Sequence, residues 1–345
     1  MHKIAIVILN WNGLRYLEEF LPLVVDHSKM DGVRVVVADN GSSDDSITFI
    51  RKDFPTVEII GLDRNYGFAE GYNRALNLIE AEYFIILNSD VKVSSGWIDP
   101  LLKTMESDTL VAACMPTIRS CHHPDFFEYA GAAGGFIDKY GYPFCQGRIF
   151  DSIEHDFGQY NSEREIFWAT GACLMVRGTL FKIIGGFDSR FFAHMEEIDL
   201  CWRLKNRGYK IMVSPGSIVY HVGGGTLAQG NPHKTYFNFR NNLFLLYKNL
   251  PPVKLRRTII TRLMMDFLSA GFFLTKGSFR DILAILKAHI DFYRNVNYCR
   301  VFRREEKKFI TVFNHRQIYG KSIVLDYFFR KKYTFKSLNW RYTNP

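Results

Sequence analysis

Polar residues follow each of the first four apolar segments of this 345-residue chain. The fourth cluster, Asn88-Ser89-Asp90, comes directly after the apolar run Tyr83–Leu87. A carboxylate at that place can hold Mg²⁺ or Mn²⁺, hard cations that take oxygen ligands and bridge to diphosphate oxygens. The alternative is a turn that closes a strand, since Asn, Ser and Asp all favour turns. The residues alone leave both interpretations of Asp90 open.

Asp39 ends the second apolar segment and could read a nucleobase. Its carboxylate can accept the imide N–H of a uracil or thymine ring through a charge-assisted hydrogen bond, which would fix the identity of the base. The competing role is capping of a helix that starts near Ser46, but the intervening Ser42, Ser43 and Asp44 are better placed for that role. The pattern therefore leaves Asp39 with no structural task.

Three later segments carry further candidate groups. Residues 64–74 place small residues at a helix start, where backbone N–H groups suit a diphosphate, although the glycine spacing is no dinucleotide fingerprint. Residues 194–203 hold three carboxylates in four positions, which either complement the helix dipole or supply a general base. His221 precedes three consecutive glycines and is either a structural residue or a ligand.

Alternating strands and helices must position these groups. The alternation predicts parallel βαβ units and a sheet covered on both faces, in which ligands bind beyond the carboxyl ends of the strands. The polar clusters fall at those ends. The predicted strands are Ile4–Leu9, Val33–Ala38, Val57–Leu62 and Tyr83–Leu87, and the predicted helices are Leu14–His27, Ser46–Asp53 and Ala69–Ala81.

The later part of the chain is less regular. Residues 115–165 are rich in Gly, Pro and aromatic residues, and a helix Ile198–Arg207 and a strand Ile211–Ser214 follow. Pro251-Pro252 marks the clearest boundary, after which residues 253–295 are typical of an amphipathic helix. This pattern predicts a C-terminal region that is separate from the α/β part.

Composition and charge exclude several classes of protein. The hydrophobic content of 47% excludes a disordered chain, and six cysteines without a CxxC pair suggest neither a zinc site nor a disulfide framework. No uncharged apolar run approaches a spanning helix, so we expect a cytoplasmic, reduced protein. Residues 251–345 carry 20 Lys and Arg against six Asp and Glu, which predicts a polyanion or an anionic membrane as neighbour.

Seven ordered motifs resemble one known family. They are VILNWNG, VVADNGSSDDS, RNYGFAEGYNRAL, ILNSDV, FWATGACLMVR, MEEIDLCWRLKNRGY and VYHVGGGT. They resemble family 2 glycosyltransferases of GT-A fold, in particular the rhamnosyltransferase-like branch that builds bacterial surface polysaccharides. The likeness covers about residues 3–245. It implies an α/β fold with an open, mostly parallel sheet in a catalytic domain 1–250, and a basic, mainly helical extension 251–345.

The resemblance also implies roles for individual residues. Those implied to bind the nucleotide-sugar are Leu9, Asn10, Trp11, Asn12, Asp39, Arg64, Asn65, Gly71, Arg74, Asn88, Ser89 and Asp90. Asp90 and His221 would hold the metal, although the first residue of the DXD-type element is Asn. Glu197 would be the catalytic base, with Glu where the family has Asp. The sugar or acceptor pocket would include Trp168, Thr170, Gly171, Glu196 and Asp199.

The implied reaction is an inverting transfer of a sugar from a dTDP- or UDP-linked donor to a hydroxyl of a glycan or lipid-linked glycan, with Mg²⁺ or Mn²⁺. We expect a peripheral protein on the cytoplasmic face of the inner membrane, with an anionic membrane surface as partner and no nucleic acid. Residues 258–274 are apolar but are interrupted by Arg262 and Asp266, which favours a helix lying in the interface or packed on the catalytic domain.

Two other functions remain as alternatives. A metal-dependent sugar nucleotidyltransferase shares strand-end carboxylates, but Asn10–Gly13 is not the Gly-rich phosphate loop that would favour it. A nucleic-acid-binding protein would use basic and aromatic residues of the tail, such as 302–304 and 327–333. That alternative leaves the N-terminal motifs unexplained.

Overall fold

A computed structural model describes residues 2–223 and 231–342 of the chain. The first part alternates strand and helix as the sequence predicts, and the two helices α1 and α2 have the predicted bounds. The third helix ends four residues earlier than predicted, because Ala81 already begins the next strand. The elements are β1 His2–Asn10, α1 Leu14–His27, β2 Val33–Asp39, α2 Ser46–Asp53, β3 Glu58–Gly61, α3 Gly67–Asn77 and β4 Ala81–Asn88.

The middle of the chain adds short strands and two helices that carry candidate residues. The predicted strand Ile211–Ser214 is one part of a longer strand, β13, which has a register shift between Ser214 and Ile218. The elements are β5 Val91–Val93, α4 Ile98–Ser107, β6 Val111–Ser120, β7 Gly135–Asp138, β8 Pro143–Cys145, β9 Arg148–Ile149, β10 Ser152–Ile153, β11 Arg164–Ile166, β12 Cys173–Arg177, α5 Gly178–Ile183, α6 Glu196–Asn206 and β13 Lys210–His221.

The main sheet has the order β3-β2-β1-β4-β12-β6-β13-β11, with β5 paired to β13. Neighbouring strands are parallel except where β12, β11 and β5 join it. Its central strands are apolar without alternation because helices cover both faces, and residues 4–7 of β1 are fully buried. The predicted α/β class with an open, mostly parallel sheet is confirmed.

The C-terminal region contains a helical part and a part that returns to the rest of the chain. The predicted helix 253–295 is two helices, because the chain turns at Gly277, which has a φ of +68°. The elements are α7 Pro232–Asn249, α8 Pro252–Thr275, α9 Phe279–Arg294, α10 Val296–Glu306, β14 Ile318–Tyr319 and α11 Ile323–Phe328.

The last residues of the chain pack on the part that precedes Pro251. Strand β14 pairs with β7 and completes a second sheet of order β10-β9-β8-β7-β14. Trp340 and Tyr342 pack against the ring of Phe136, with ring centroids 5.4 and 4.7 Å apart. Residues 318–342 therefore share a core with the predicted domain 1–250, and Phe292 of α9 and Cys299 of α10 belong to the same core.

Helix α8 is the one helix in the described ranges that is long and apolar enough to cross a membrane, judged by length and composition alone. Its two interrupting charges, Arg262 and Asp266, are buried and form an ion pair of 2.9 Å. Arg262 also lies over the ring of Tyr142, 3.8 Å from its centroid. Arg262 thus faces the protein and does not contribute to the basic surface that the sequence predicts around this helix.

Candidate functional site

Sheet register brings several of the predicted nucleotide-binding residues together. Asn10 lies opposite Asp39 in the parallel β1–β2 pair, and Leu9 lies opposite Asn88 in the β1–β4 pair. The carboxyl ends of three adjacent strands therefore meet at one edge of the sheet. This edge is where an open α/β sheet binds its ligand.

Asp39 has a structural task that the sequence did not reveal. Its Oδ1 accepts a hydrogen bond of 3.1 Å from Asn10 Nδ2, and its Oδ2 accepts one of 3.0 Å from Ser42 N. Asp44 performs the capping expected nearby, because it accepts from Leu14 N at the start of α1 and from Ser46 at the start of α2. Each Asp39 oxygen keeps a second lone pair, so the carboxylate can still accept a further N–H.

Trp11 and Asn12 form the open side of this edge. The side chain of Trp11 is 47% exposed and offers an aromatic face next to Asn10. Asn12 has a φ of +50°, and its Oδ1 accepts a hydrogen bond of 2.7 Å from Ser43 N. That bond ties the loop after β1 to the loop after β2, so the two loops form one wall.

The N-terminus of α3 is already occupied by another part of the protein. The carbonyl of Phe192 accepts hydrogen bonds from Phe68 N at 2.9 Å and from Ala69 N at 3.3 Å. A Cβ on Gly67 would stand 2.7 Å from the Phe192 ring, so only glycine allows this approach. The expectation that these helix N–H groups face a diphosphate is therefore not met in this structure.

The other residues predicted to face the diphosphate are used within and around α3. Arg74 forms an ion pair of 2.8 Å with Glu70 and lies over the ring of Tyr66, 3.9 Å from its centroid. Arg64 also lies over Tyr66. Asn65 accepts hydrogen bonds from Gly67 N and from the Asn40 side chain, and Gly71 packs against Leu9. The structure does not bring Arg74 to the strand edge.

Asp90 and His221 are neighbours. Strand β5 pairs with β13 so that Val91 lies opposite His221, which brings the preceding Asp90 to within 3.2 Å of His221 Nε2. On the other side of the ring, Nδ1 lies 3.1 Å from Glu128 Oε2. Burial alone would lower the pKa of His221, but the two carboxylates outweigh it and raise that pKa to about 10. Burial opposes a low pKa at Asp90, and the His221 ring nevertheless lowers it.

The donor set at Asp90 and His221 fits a divalent cation. Within residues 2–223 and 231–342, no group of three His, Cys, Asp or Glu has the arrangement of a complete metal site. One carboxylate and one imidazole nitrogen nevertheless form a partial set, which suits a cation that takes its other ligands from a diphosphate and water. Glu128 contacts the ring nitrogen that faces away from Asp90, as a carboxylate that orients a metal-binding histidine does.

Sequence reasoning missed Glu128. It lies in the loop after β6, and no local pattern marks it as part of a site that is built from residues 38 and 93 positions away. A Cβ on Gly223 would stand 2.7 Å from its Oε1, so the glycine run begins in contact with this carboxylate. Gly224, Gly225 and Thr226 of the predicted glycine loop lie outside the described residues.

The segment before β12 joins this edge to α6. Asn88 N donates a hydrogen bond of 3.0 Å to Ala172 O, while Ala169 N donates to Cys201 Sγ in α6. Thr170 is buried and accepts from Ala172 N, and a Cβ on Gly171 would meet the Phe68 ring. Trp168 is also buried, with its Nε1 donating to Phe136 O at 2.9 Å. Trp168 therefore anchors this segment to β7.

Helix α6 begins with two carboxylates, each of which has one oxygen without a partner. One oxygen of Glu196 and one of Glu197 are buried, and no described residue donates a hydrogen bond to either atom. Burial raises the pKa of Glu197 to about 7, and burial together with Glu197 raises the pKa of Glu196 well above its ordinary value. A carboxylate with a pKa near 7 is suited to act as a general base at neutral pH.

Asp199 does not face a pocket. It is fully buried, and its carboxylate pairs with Arg203 at 2.8 Å and Lys248 at 2.9 Å and accepts from Asn249. Lys248 continues the network to Asp188 at 2.6 Å. Burial opposes ionisation of Asp199, but the two cations lower its pKa. The predicted pocket residue is instead an anchor that fixes α6 to α7.

The loop that leads into α6 is strained and is held by α7. Phe192, His194 and Met195 all have positive φ, a conformation that costs non-glycine residues energy and is common at functional sites. Asn241 Nδ2 lies 3.0, 2.9 and 2.7 Å from the carbonyl oxygens of Phe191, Ala193 and His194. The fully buried Asn241 thus holds the backbone that aims Glu197, a role that no sequence pattern predicted.

The fold is that of the GT-A glycosyltransferases, and comparisons with known proteins supply the family. Residues 5–171 match the family model "Glycosyl transferase family 2", so the chain carries a family 2 glycosyltransferase domain. Its fold resembles mannosyltransferase PcManGT from Pyrobaculum calidifontis, solved in complex with GDP-Man and Mn²⁺. The TM-score is 0.51 at 14% identity, over 84% of this chain and 87% of that chain.

The relatives in sequence include rhamnosyltransferases. The chain is 28% identical over 236 residues to N-acetylglucosaminyl-diphospho-decaprenol L-rhamnosyltransferase of Mycobacterium tuberculosis, which covers 63% of this chain and 75% of that protein. It is 21% identical over 218 residues to rhamnosyltransferase WbbL of Escherichia coli K12, covering 58% and 81% respectively. The family predicted from the motifs is confirmed.

Proposed function

We propose that the protein transfers a sugar from a dTDP- or UDP-linked donor to a hydroxyl of a lipid-linked glycan, with inversion at the anomeric carbon. The observation that carries the proposal is that the Asn10–Asp39 pair and the Asp90–His221 pair both lie at the carboxyl ends of strands of the same sheet. Because two relatives are rhamnosyltransferases, dTDP-linked rhamnose is the first donor to test.

Each residue pair has its own task in this proposal. Asp39 accepts the imide N–H of the pyrimidine with the lone pairs that Asn10 and Ser42 leave free, and Trp11 covers the face of the base. Glu197 takes the proton of the acceptor hydroxyl, whose oxygen then attacks the anomeric carbon as the bond to the diphosphate breaks. The unpartnered oxygens of Glu196 and Glu197 support this task, since a buried acceptor without a donor is a place for a hydroxyl.

Asp90 and His221 would hold Mg²⁺ or Mn²⁺. A cation held by these two residues would supply Lewis-acid stabilisation of the negative charge on the departing diphosphate. Glu128 keeps the imidazole ring of His221 in place by its contact with Nδ1, so that Nε2 faces Asp90.

We propose a polyprenyl-diphosphate-linked sugar as the acceptor, in line with the name of the mycobacterial relative. Such an acceptor lies in a membrane, and a protein that uses a nucleotide-sugar meets it on the cytoplasmic face. We therefore propose a cytoplasmic protein that is peripheral to the inner membrane.

Radiolabelled dTDP-rhamnose and UDP-hexoses test the proposal directly. We expect metal-dependent release of the nucleoside diphosphate together with label in a butanol-extractable lipid acceptor. A nucleotidyltransferase would instead exchange pyrophosphate and leave the lipid unlabelled. The proposal fails if no donor supports transfer while the folded protein still binds a nucleoside diphosphate.

A thermal-shift panel with UDP, dTDP, GDP and CDP in the presence of Mn²⁺ narrows the donor first. Uridine and thymidine diphosphates should stabilise the protein more than the other two, because only their bases offer an imide N–H without an adjacent amino group. Stabilisation by GDP alone would refute the role of Asp39 as a pyrimidine reader.

A further inference from the structure

Helices α8 and α9 form a hairpin in which α8 turns polar side chains toward the protein and α9 turns a mainly apolar side toward it, while both helices expose further apolar side chains. The buried residues of α8 are Thr258, Arg262 and Asp266, one helical turn apart. Asp266 also pairs with His289 of α9 at 3.2 Å. A helix of a water-soluble domain has the reverse arrangement, with its apolar stripe toward the core.

The outward side is a continuous apolar surface. On α8, Phe267 is 79% exposed and Leu268 is 71% exposed. Apolar residues at helical spacing continue the surface over both helices, which is far more than the scattered exposed side chains of an ordinary surface. Its further members are Ile260, Met264, Phe272, Leu274, Phe279, Leu283, Leu286, Ile290 and Tyr293.

The charge around this surface has one sign. Every exposed charged side chain between residues 252 and 301 is basic, while the acidic residues of the segment, Asp266, Asp281 and Asp291, are buried or half-buried. A second copy of the chain on this face would bring two basic rims together, whereas anionic lipid headgroups would neutralise them. The exposed basic residues are Lys254, Arg256, Arg257, Lys276, Arg280, Lys287, Arg294 and Arg300.

We propose that the outward face of the α8–α9 hairpin is a membrane-docking surface that lies flat in the headgroup region of an anionic bilayer. The 24 residues of α8 are about 36 Å long, enough to span a bilayer, but the Arg262–Asp266 pair and the packing on α9 and α7 hold the helix against the protein. The 16-residue α9 is too short to span. Both helices bury one side in lipid and keep the other on the catalytic domain.

Vesicle sedimentation of the full chain tests the surface. We expect binding to vesicles that contain phosphatidylglycerol, weakened by salt, and little binding to phosphatidylcholine alone. The double variant Phe267→Ser/Leu268→Ser should lower the partition coefficient about tenfold. Phe157→Ser is the matched control, because Phe157 is 81% exposed but lies outside the hairpin. Circular dichroism confirms that each variant folds.

Three outcomes would overturn the proposal. The first is equal recovery of the wild-type chain in the supernatant with both vesicle types at low salt. The second is a loss of vesicle binding in Phe157→Ser as large as that in Phe267→Ser/Leu268→Ser. The third is a dimer of the wild-type chain that Phe267→Ser/Leu268→Ser dissociates without any change in vesicle binding. The inference rests on the proposed function only for the reason why the protein would dock on a membrane, namely a lipid-linked acceptor. Vesicle binding is measured without donor or acceptor, so a failure to detect sugar transfer leaves this result readable.

Discussion

Asn241 gives the sharpest test of how α7 positions α6, the helix that carries the proposed base Glu197. Its two N–H donors serve three carbonyl oxygens of the loop Phe191–His194, in which several residues hold a strained positive φ. Replacing Asn241 with Ala removes the side-chain donor from the part-buried carbonyls of Ala193 and His194, at a cost of about 1–3 kcal/mol for each group. The carbonyl of Phe191 keeps the N–H groups of Ala193 and Arg240. The strain, about 1–3 kcal/mol for each residue, then favours relaxation of the loop, and Glu197 moves with it.

Neighbouring Asn242 is a matched control. It is equally buried on the same helix, but its Nδ2 donates at 2.6 Å to Gly141 O, away from the loop Phe191–His194. Asn241→Ala and Asn242→Ala should therefore both lower the free energy of unfolding in urea. Only Asn241→Ala should lower kcat, by about 10- to 100-fold, with the donor KM within a few-fold, because a displaced base costs turnover more than binding.

Asn241→Asp separates hydrogen bonding from shape. The carboxylate has the same size as the amide but donates no hydrogen bond to the three carbonyls, so we expect its kcat to fall as far as that of Asn241→Ala. The pH dependence of kcat should also shift in both variants, since the surroundings of Glu197 change. Equal kcat losses in the Asn241 and Asn242 variants, or a kcat of Asn241→Asp close to wild type, would refute the reasoning.

Three further predictions concern the site itself. Glu197→Gln should lower kcat about 10²- to 10⁴-fold with donor binding retained. The wild-type kcat should rise with pH through about 7, as Glu197 loses its proton, and an unchanged pH profile in Glu197→Gln would contradict the assignment. Asp90→Ala and His221→Ala should each weaken Mn²⁺-dependent binding of a nucleoside diphosphate in calorimetry, and unchanged affinity in both would exclude the pair as metal ligands. Asp39→Asn should reduce the preference for UDP and dTDP over CDP in thermal shift, with no change in preference as the contrary result.

The sequence was sufficient for those parts of the fold that local patterns determine. The bounds of α1 were predicted because Gly13 precedes it and an apolar stripe of one face runs through it. The carboxyl ends of the first four strands were predicted because a buried parallel strand is apolar throughout and ends where polar residues begin. Asp90 and His221 were paired by resemblance, and the register of β5 with β13 supplies the physical reason for their contact.

Local sequence patterns could not predict the contacts between segments that are distant in the chain. The start of α3 has the small residues of an anion-binding site. Its N–H groups instead donate to the carbonyl of Phe192, which lies more than 100 positions later in the sequence. The sequence suggests that Asp199 is a carboxylate in a pocket, but its carboxylate is bound by Lys248 and Asn249 of α7. In both cases the sequence shows the hydrogen-bonding capacity of a group, while only the tertiary fold shows which partner uses it.

Helix α8 illustrates the same limit for hydropathy. Arg262 and Asp266 in an apolar run predict that the helix does not span a membrane, but they do not tell which side faces the protein. The fold turns the charged pair inward, where Tyr142 and His289 contact it. The apolar residues are therefore left outside, and the interruption that argued against a spanning helix becomes the anchor of a surface-bound one.

Helix α7 connects the α8–α9 hairpin with the loop Phe191–His194, which leads to Glu197. Near its start, Thr235 donates to Asp281 at 2.6 Å and Tyr236 to Asp291 at 2.7 Å, both on α9. About one turn later, Asn241 holds the loop that leads to Glu197. Since a single helix carries both sets of bonds, docking of the hairpin would fix the distance of Glu197 from the bilayer. An acceptor hydroxyl on a sugar tethered to lipid by a diphosphate also lies at a fixed distance, so the same geometry would bring base and acceptor to one height.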